Sequence, residues 1–141
     1  MKFFVDSSVL VAAFIPGHVH HDRSFKVLAS ADTKIAACAV HSLAELYATI
    51  TRLPHKYRAT AHQALTFVEA VQERFKLLAL DSDEYLDSIR QAADRNIVGG
   101  TLYDTVTAAC ALKAKADTLY TWNVGHFLLL GEDVAKRVRT P

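Results

Sequence analysis

Three carboxylates are placed where they could act together. Asp6 closes the apolar run Phe3-Phe4-Val5, Glu45 lies within a helical pattern, and Asp104 follows Gly99-Gly100 at the start of a small-residue segment. An acid that ends a buried strand is costly to desolvate unless something pairs with it. Several acids converging on one edge without a permanent counter-charge repel one another, and such sets hold hard divalent cations. Oxygen donors without Cys or His favour Mg²⁺ or Mn²⁺ over zinc. Carboxylate-held metals serve phosphoryl chemistry by activating a water and stabilising the leaving oxygen. Each acid also has a plainer use. Glu45 alone reads as a solvated residue, and Asp104 as a first-turn acid favoured by the helix dipole. Thr121 and Asn123 are polar groups at the end of a strand, where turn residues are common for conformational reasons.

The elements that must position these groups follow from apolar periodicity. Residues 3–6 form a strand, and Ser7 or Ser8 caps a helix running to Phe14. Pro16-Gly17 ends it. His18-Val19-His20-His21-Asp22 then leads into a helix to about Ser30, and a short strand is predicted over 34–37. Val40, Leu43, Ala44, Tyr47 and Ile50 recur at helical spacing. Ser42 offers a cap there, and Leu53-Pro54 ends that helix. Its other face carries His41, Glu45, Thr49 and Arg52, with Arg52 two turns from Glu45, roughly 10 Å along the axis. A helix over 59–74 follows, with a stripe of Ala61, Ala64, Leu65, Val68, Val71 and Phe75. A strand is predicted over 77–80, and Asp81-Ser82-Asp83 caps a helix to about Arg95. A helix over 102–114, a strand over 118–121, a tight turn over 122–127 and a short strand at Val138-Arg139 complete the chain.

Strands alternating with helices argue for an α/β fold: a central parallel sheet of four to five strands, flanked by helices on both faces. Open sheets of this kind put their chemistry at the carboxyl edge, and the strand ending at Thr121 should deliver Thr121 and Asn123 beside Asp6. No linker or repeat divides the 141 residues, so one domain over 1–141 is expected.

Composition narrows the function classes. A net charge of +1 excludes a DNA-coating basic field, although local patches still matter. Cys38 and Cys110 read as small buried hydrophobes in a reducing compartment. No signal peptide is visible and no apolar stretch reaches the roughly 20 residues that span a bilayer. A cytoplasmic protein without membrane contact is expected. His18, His20 and His21 with Asp22 lack a Cys or His pair elsewhere and read as a solvated loop. His55-Lys56-Tyr57-Arg58 has the character of a phosphate- or base-contacting stretch, and equally of an ordinary solvated segment. Asp81, Asp83 and Asp117 read as turn or cap acids, Asp94 and Glu132 as surface.

Four segments, in order and together, resemble the PIN-domain nucleases: Phe3-Phe4-Val5-Asp6-Ser7-Ser8-Val9-Leu10, Ser42-Leu43-Ala44-Glu45-Leu46, Tyr103-Asp104-Thr105, and Leu119-Tyr120-Thr121-Trp122-Asn123-Val124-Gly125-His126-Phe127. The chain size, with Thr51-Arg52-Leu53-Pro54 and Gly99-Gly100, is most similar to VapC toxins of bacterial toxin–antitoxin pairs. The resemblance implies a five-stranded parallel sheet and a Mg²⁺- or Mn²⁺-dependent endoribonuclease. It implies inhibition by a VapB-type antitoxin whose tail enters the groove, and a homodimer within a larger toxin–antitoxin complex. Asp6, Glu45 and Asp104 match the family's acidic positions and are the expected catalytic residues. Asp6 and Asp104 are the expected metal ligands, and Glu45 orients or deprotonates the attacking water. Ser7 and Thr121 are expected to hydrogen-bond ligands or phosphate. Arg52 is expected to contact phosphate, or to pair with Glu45 when RNA is absent. Where many members carry a fourth Asp, this chain has Asn123, which orients water or binds a metal weakly and argues for one strongly held ion.

Two other classes remain open at this point. A haloacid-dehalogenase-like phosphatase would use Asp6 as nucleophile, although position 8 is Ser where such enzymes usually carry a second Asp, and no lysine motif follows. A PIN-like binding module would have lost catalysis through Asn123. Transfer, ribosomal and messenger RNA all present the same phosphate to such a site, and selectivity lies in shape and single-stranded loops.

Overall fold

The structure, a computed structural model, describes residues 1–141. Five strands, β1 (Phe3–Val5), β2 (Ala36–Ala39), β3 (Lys76–Leu78), β4 (Thr118–Tyr120) and β5 (Val138–Arg139), form one parallel sheet in the order β3-β2-β1-β4-β5. Eight helices connect them: α1 (Ser7–Phe14), α2 (His21–Ser30), α3 (Val40–Ile50), α4 (Ala61–Arg74), α5 (Ser82–Asp94), α6 (Thr101–Lys113), α7 (Val124–Leu128) and α8 (Glu132–Ala135).

Alternation along the strands sorts the core into two layers. Phe3 and Val5 join Ala36 and Cys38 in a core with Val9, Leu10, Leu46, Ile50 and Val71 from the helices of one face. Phe4 joins Ala37 and Ala39 on the other face, with Ala108, Cys110, Leu119, Phe127 and Val134. All four residues of β2 are buried. A parallel strand covered on both faces is expected to be wholly apolar, and alanine lets the flanking helices approach closely. Cys38 and Cys110 are free and buried, and burial pushes their thiols up to about 12 and about 11, so both are inert hydrophobes as expected.

The register fixes the working edge. Val5 pairs with Cys38 on one side and with Tyr120 on the other, so β1, β2 and β4 end at the same level. Asp6, the start of α3 and Thr121 therefore leave the sheet side by side.

Several boundaries differ from the expected ones, each for a local reason. The second strand begins at Ala36, not at residue 34. Asp32 ties the preceding residues into a turn, its side chain accepting from the Lys34 amide at 2.7 Å and its carbonyl from the Ile35 and Ala36 amides at 3.1 and 2.9 Å. Ser42 does not cap α3. The strand runs straight into the helix with Ala39 at the N-cap, and Ser42 is buried one turn inside. Because no loop intervenes, the rotation of α3 follows from the exit of β2. The core takes Leu46 and Ile50, while Val40 and Tyr47 are 44% and 40% exposed despite their place in the apolar periodicity. Similarly, α4 buries Ala64 and Val71 and leaves Leu65 exposed. The turn expected over 122–127 closes into the short helix α7, and α8 was not foreseen. Both are too short to show a period. Asp81 caps α5 as expected, in a reciprocal capping box with Glu84.

Candidate active site

Asp6 is 2% exposed, yet it is well supplied with donors. Its Oδ2 accepts from the Ser8 hydroxyl at 2.7 Å, the Thr121 hydroxyl at 2.9 Å and the Ser8 amide at 3.3 Å. The cap of α1 is thus Asp6 itself, not Ser7 or Ser8. Its Oδ1 has only a long 3.4 Å contact from Ser7. The carboxylate is locked through one oxygen and presents the other.

Glu45 reaches the site from the second turn of α3. Ser7 donates to its Oε2 at 3.3 Å, which ties it to the start of α1. The side chain is 39% exposed as a whole, but Oε1 is buried and has no hydrogen-bond partner. His41 Nε2 lies 3.4 Å from that oxygen, but it is directed to the Thr107 hydroxyl at 2.9 Å, so Oε1 remains an orphan. Burial first, then the charges of Asp6 and Asp104, push the Glu45 carboxyl up to about 7, and the Ser7 hydrogen bond opposes them. Burial also lowers the His41 imidazole, against the pull of Asp6, so the ring favours its neutral form and gives Glu45 little counter-charge.

Asp104 stands in the first turn of α6 and pairs with His126, whose Nδ1 lies 2.9 Å from Oδ2. Burial and the charge of Asp6 raise its carboxyl, and His126 partly compensates. All three acids therefore share one field. No lysine or arginine forms an ion pair with any of them.

The residues fit a hard divalent cation. An orphaned buried carboxylate oxygen and the raised Glu45 and Asp104 carboxyls are what a positive ion at this edge would relieve. No group of three or more His, Cys, Asp or Glu residues stands at metal-ligating separation, so the acids do not form a closed protein cage. Mg²⁺ keeps several waters and takes one or two carboxylates, which suits an open set of this kind.

The remaining expected site residues divide. Ser7 bridges Asp6 and Glu45. Thr121 is fully buried, donating to Asp6 and accepting from the Asn123 amide at 2.9 Å. It supports a ligand and has no surface left for phosphate. Asn123 is exposed at the N-cap of α7, and its side-chain amide makes no hydrogen bond. Arg52 is exposed past the end of α3 and forms no ion pair with Glu45, whose neighbours are Ser7 and His41 instead. The supporting roles of Ser8, His41 and His126 were not foreseen. The available signals were the position of Ser8 two residues after Asp6, the i, i+4 spacing of His41 and Glu45, and the presence of His126 in one segment with Asn123.

The model of the PIN domain family matches residues 3–124. The chain belongs to the PIN-domain family. Ribonuclease VapC40 of Mycobacterium tuberculosis is 30% identical over 114 residues, 81% of each chain. Among solved structures, VapC20 of Mycobacterium tuberculosis, described as a sarcin–ricin loop cleaving toxin, superposes with a TM-score of 0.68 at 16% identity, over 89% of this chain and 92% of that one. VapBC2 of Rickettsia felis, solved bound to a DNA fragment from its promoter, gives 0.65 at 17% identity, over 99% and 98%. At such identities the structural matches speak for the fold. In this PIN domain the acids lie just past the end of β1, in the second turn of α3 and in the first turn of α6, three elements that the fold brings to one edge. No helix is long and apolar enough to cross a membrane.

Proposed function

We propose that the protein is a divalent-metal-dependent endoribonuclease, the toxin of a VapBC-type toxin–antitoxin pair. The observation that carries this reading is the uncompensated acid set, with Glu45 Oε1 buried and unpartnered beside Asp6 and Asp104. Membership of the PIN-domain family and the likeness to Ribonuclease VapC40 support it.

Asp6 and Asp104 would hold Mg²⁺ or Mn²⁺, directly or through water. The ion would supply Lewis-acid stabilisation of the leaving oxygen and an activated water. Ser8 and Thr121 fix the orientation of Asp6. Glu45, with a carboxyl near neutrality, accepts a proton from the attacking water or orients it. Asn123 directs its free amide to water or substrate, and Arg52 meets the phosphate backbone from the end of α3. Position 8 disfavours a phosphatase nucleophile at Asp6, because Ser8 occupies the place of the second acid and donates to Asp6 instead. A VapB-type antitoxin is the proposed inhibitor, with its tail in the groove, and a homodimer the proposed toxin unit. The fold likeness to the Rickettsia felis toxin–antitoxin structure supports an antitoxin as partner.

The test is cleavage of total RNA by the purified protein with Mg²⁺, Mn²⁺ or a chelator, beside a phosphate monoester. Metal-dependent RNA fragments with an untouched monoester are expected. Hydrolysis of the monoester alone would overturn the proposal. Induced expression should arrest growth, and the product of the neighbouring open reading frame should relieve it.

A further inference from the structure

The histidine loop between α1 and α2 is not solvated in the way its sequence implies. The His20 ring lies on the Trp122 indole with centroids 3.6 Å apart and planes 6° from parallel. Arg23 sets its guanidinium 5.2 Å from the indole centroid, and His18 tilts against His20 at 5.6 Å. Hydrogen bonds hold both residues of the stack in place. The Trp122 indole N–H donates to the buried Ser24 hydroxyl at 2.8 Å, and its amide to the Ser8 hydroxyl at 3.0 Å. His21 Nδ1 meets the Ala12 carbonyl at 3.0 Å, and the His20 amide donates to His18 Nδ1 at 3.0 Å.

A rigid ring pair could simply pack a loop. What points to a ligand is the open cleft beside it, about 460 Å³, whose wall includes His20, Trp122, Thr49, Asn123, Ser7 and Ser8. Its size is within the roughly 300–1,000 Å³ of small-molecule sites. Ser7 and Ser8 are the residues that touch Asp6, so the cleft opens directly onto the acid edge. Asn123 offers an uncommitted amide, donor and acceptor together, of the kind that reads a base edge. Val19 stands 87% exposed at the loop tip. Burial and the neighbouring His20 and His21 lower the His18 ring, which favours its neutral form.

We propose that this cleft binds an unpaired nucleobase of single-stranded RNA, stacked on His20 so as to extend the His20–Trp122 pair, next to the phosphate held at the acid edge. The proposal rests on the ribonuclease reading and adds to it a base-holding residue, His20, outside the acid set. Base–aromatic stacking tolerates any base, whereas Asn123 supplies whatever base preference the site has. Arg23 adds positive charge beside the stack for the flanking phosphate.

The test compares two probes of equal charge, labelled decauridylate and an abasic ribose-phosphate decamer, by fluorescence anisotropy with the full chain in Ca²⁺. The wild type should bind decauridylate about tenfold more tightly, the scale expected for one stacked base. His20→Ala should erase that preference, and His20→Phe, which keeps a ring on Trp122, should keep it. Far-ultraviolet circular dichroism and the melting temperature report whether each variant stays folded. Equal binding of the two probes by the wild type, or an undiminished preference in a folded His20→Ala, overturns the proposal. Base preference without RNA cleavage in Mg²⁺ or Mn²⁺ leaves the cleft standing and sinks the nuclease reading. Cleavage without base preference does the reverse, and neither result together removes both.

Discussion

Thr121 donates its hydroxyl hydrogen bond to Asp6 Oδ2 at 2.9 Å, joining the ends of two adjacent strands inside the protein. The same hydroxyl oxygen accepts from the Asn123 amide at 2.9 Å. One side chain thus aims the principal acid and sets the start of α7. Thr121→Val keeps the shape and removes both bonds, leaving an amide and a carboxylate oxygen short of a partner. A destabilisation of about 1–3 kcal/mol is expected, read by denaturant unfolding. Metal affinity should fall about 10–100-fold by calorimetric titration, and Thr121→Ser should restore most of it. A Thr121→Val protein with normal metal affinity would deny Thr121 its supporting role.

Asp6→Asn tests the anchor itself. Asn is as good an N-cap as Asp, so α1 should persist. RNA cleavage should be lost while far-ultraviolet circular dichroism and cooperative melting remain. An active Asp6→Asn protein would remove Asp6 from the chemistry.

Asn123→Asp adds a charge beside an edge where a cation is expected to sit. Affinity for a hard cation rises with ligand charge, so the heat of Mg²⁺ or Mn²⁺ titration should report tighter binding. An unchanged isotherm would place position 123 outside the metal's reach.

The Glu45 carboxyl gives a pH signature whose sign is fixed. Its folded value, about 7, is above the ordinary 4.5, and Asp104 is shifted the same way. Between those values the unfolded chain has released a proton that the folded protein still holds. Stability therefore falls as pH rises through this window, and the loss is complete above the folded value. Glu45 should contribute a fall in the metal-free melting temperature from about pH 5 to about pH 8, against the opposite contribution of the lowered His41 and His18 rings, and Glu45→Gln should remove that fall. Added Mn²⁺ should raise the melting temperature more at the higher pH, where the carboxylate is ionised. Equal slopes for wild type and Glu45→Gln would contradict the raised carboxyl.

Much of the fold was legible because its signals are local. Phe3-Phe4-Val5 running into Asp6, the alternation of strands with helices, and the Gly99-Gly100 break all depend on near neighbours. A parallel sheet of four to five strands followed, though not the order of its strands, with ends displaced by one or two residues where turns such as that at Asp32 intervene. The acids Asp6, Glu45 and Asp104 were legible as candidates for the same reason, since each belongs to a readable element: the end of β1, the second turn of α3 and the first turn of α6. The apolar face of α3 was misread, because Val40 and Tyr47 satisfy helical periodicity yet the direct exit of β2 turns them outward.

By itself the sequence determined which residues could bear charge at the carboxyl edge of a parallel sheet. Folding decided how they are paired. Ser7 meets Glu45 across 38 residues and Thr121 meets Asp6 across 115, and neither separation has a periodicity to announce it. The same holds for His126 on Asp104, for His41 turned to Thr107, and for His20 laid flat on Trp122. Local propensity sets where an element starts and which residue types it carries. Only the packing of the two layers on a common sheet sets which oxygens find donors, and Glu45 Oε1 is the buried carboxylate oxygen at this site that does not.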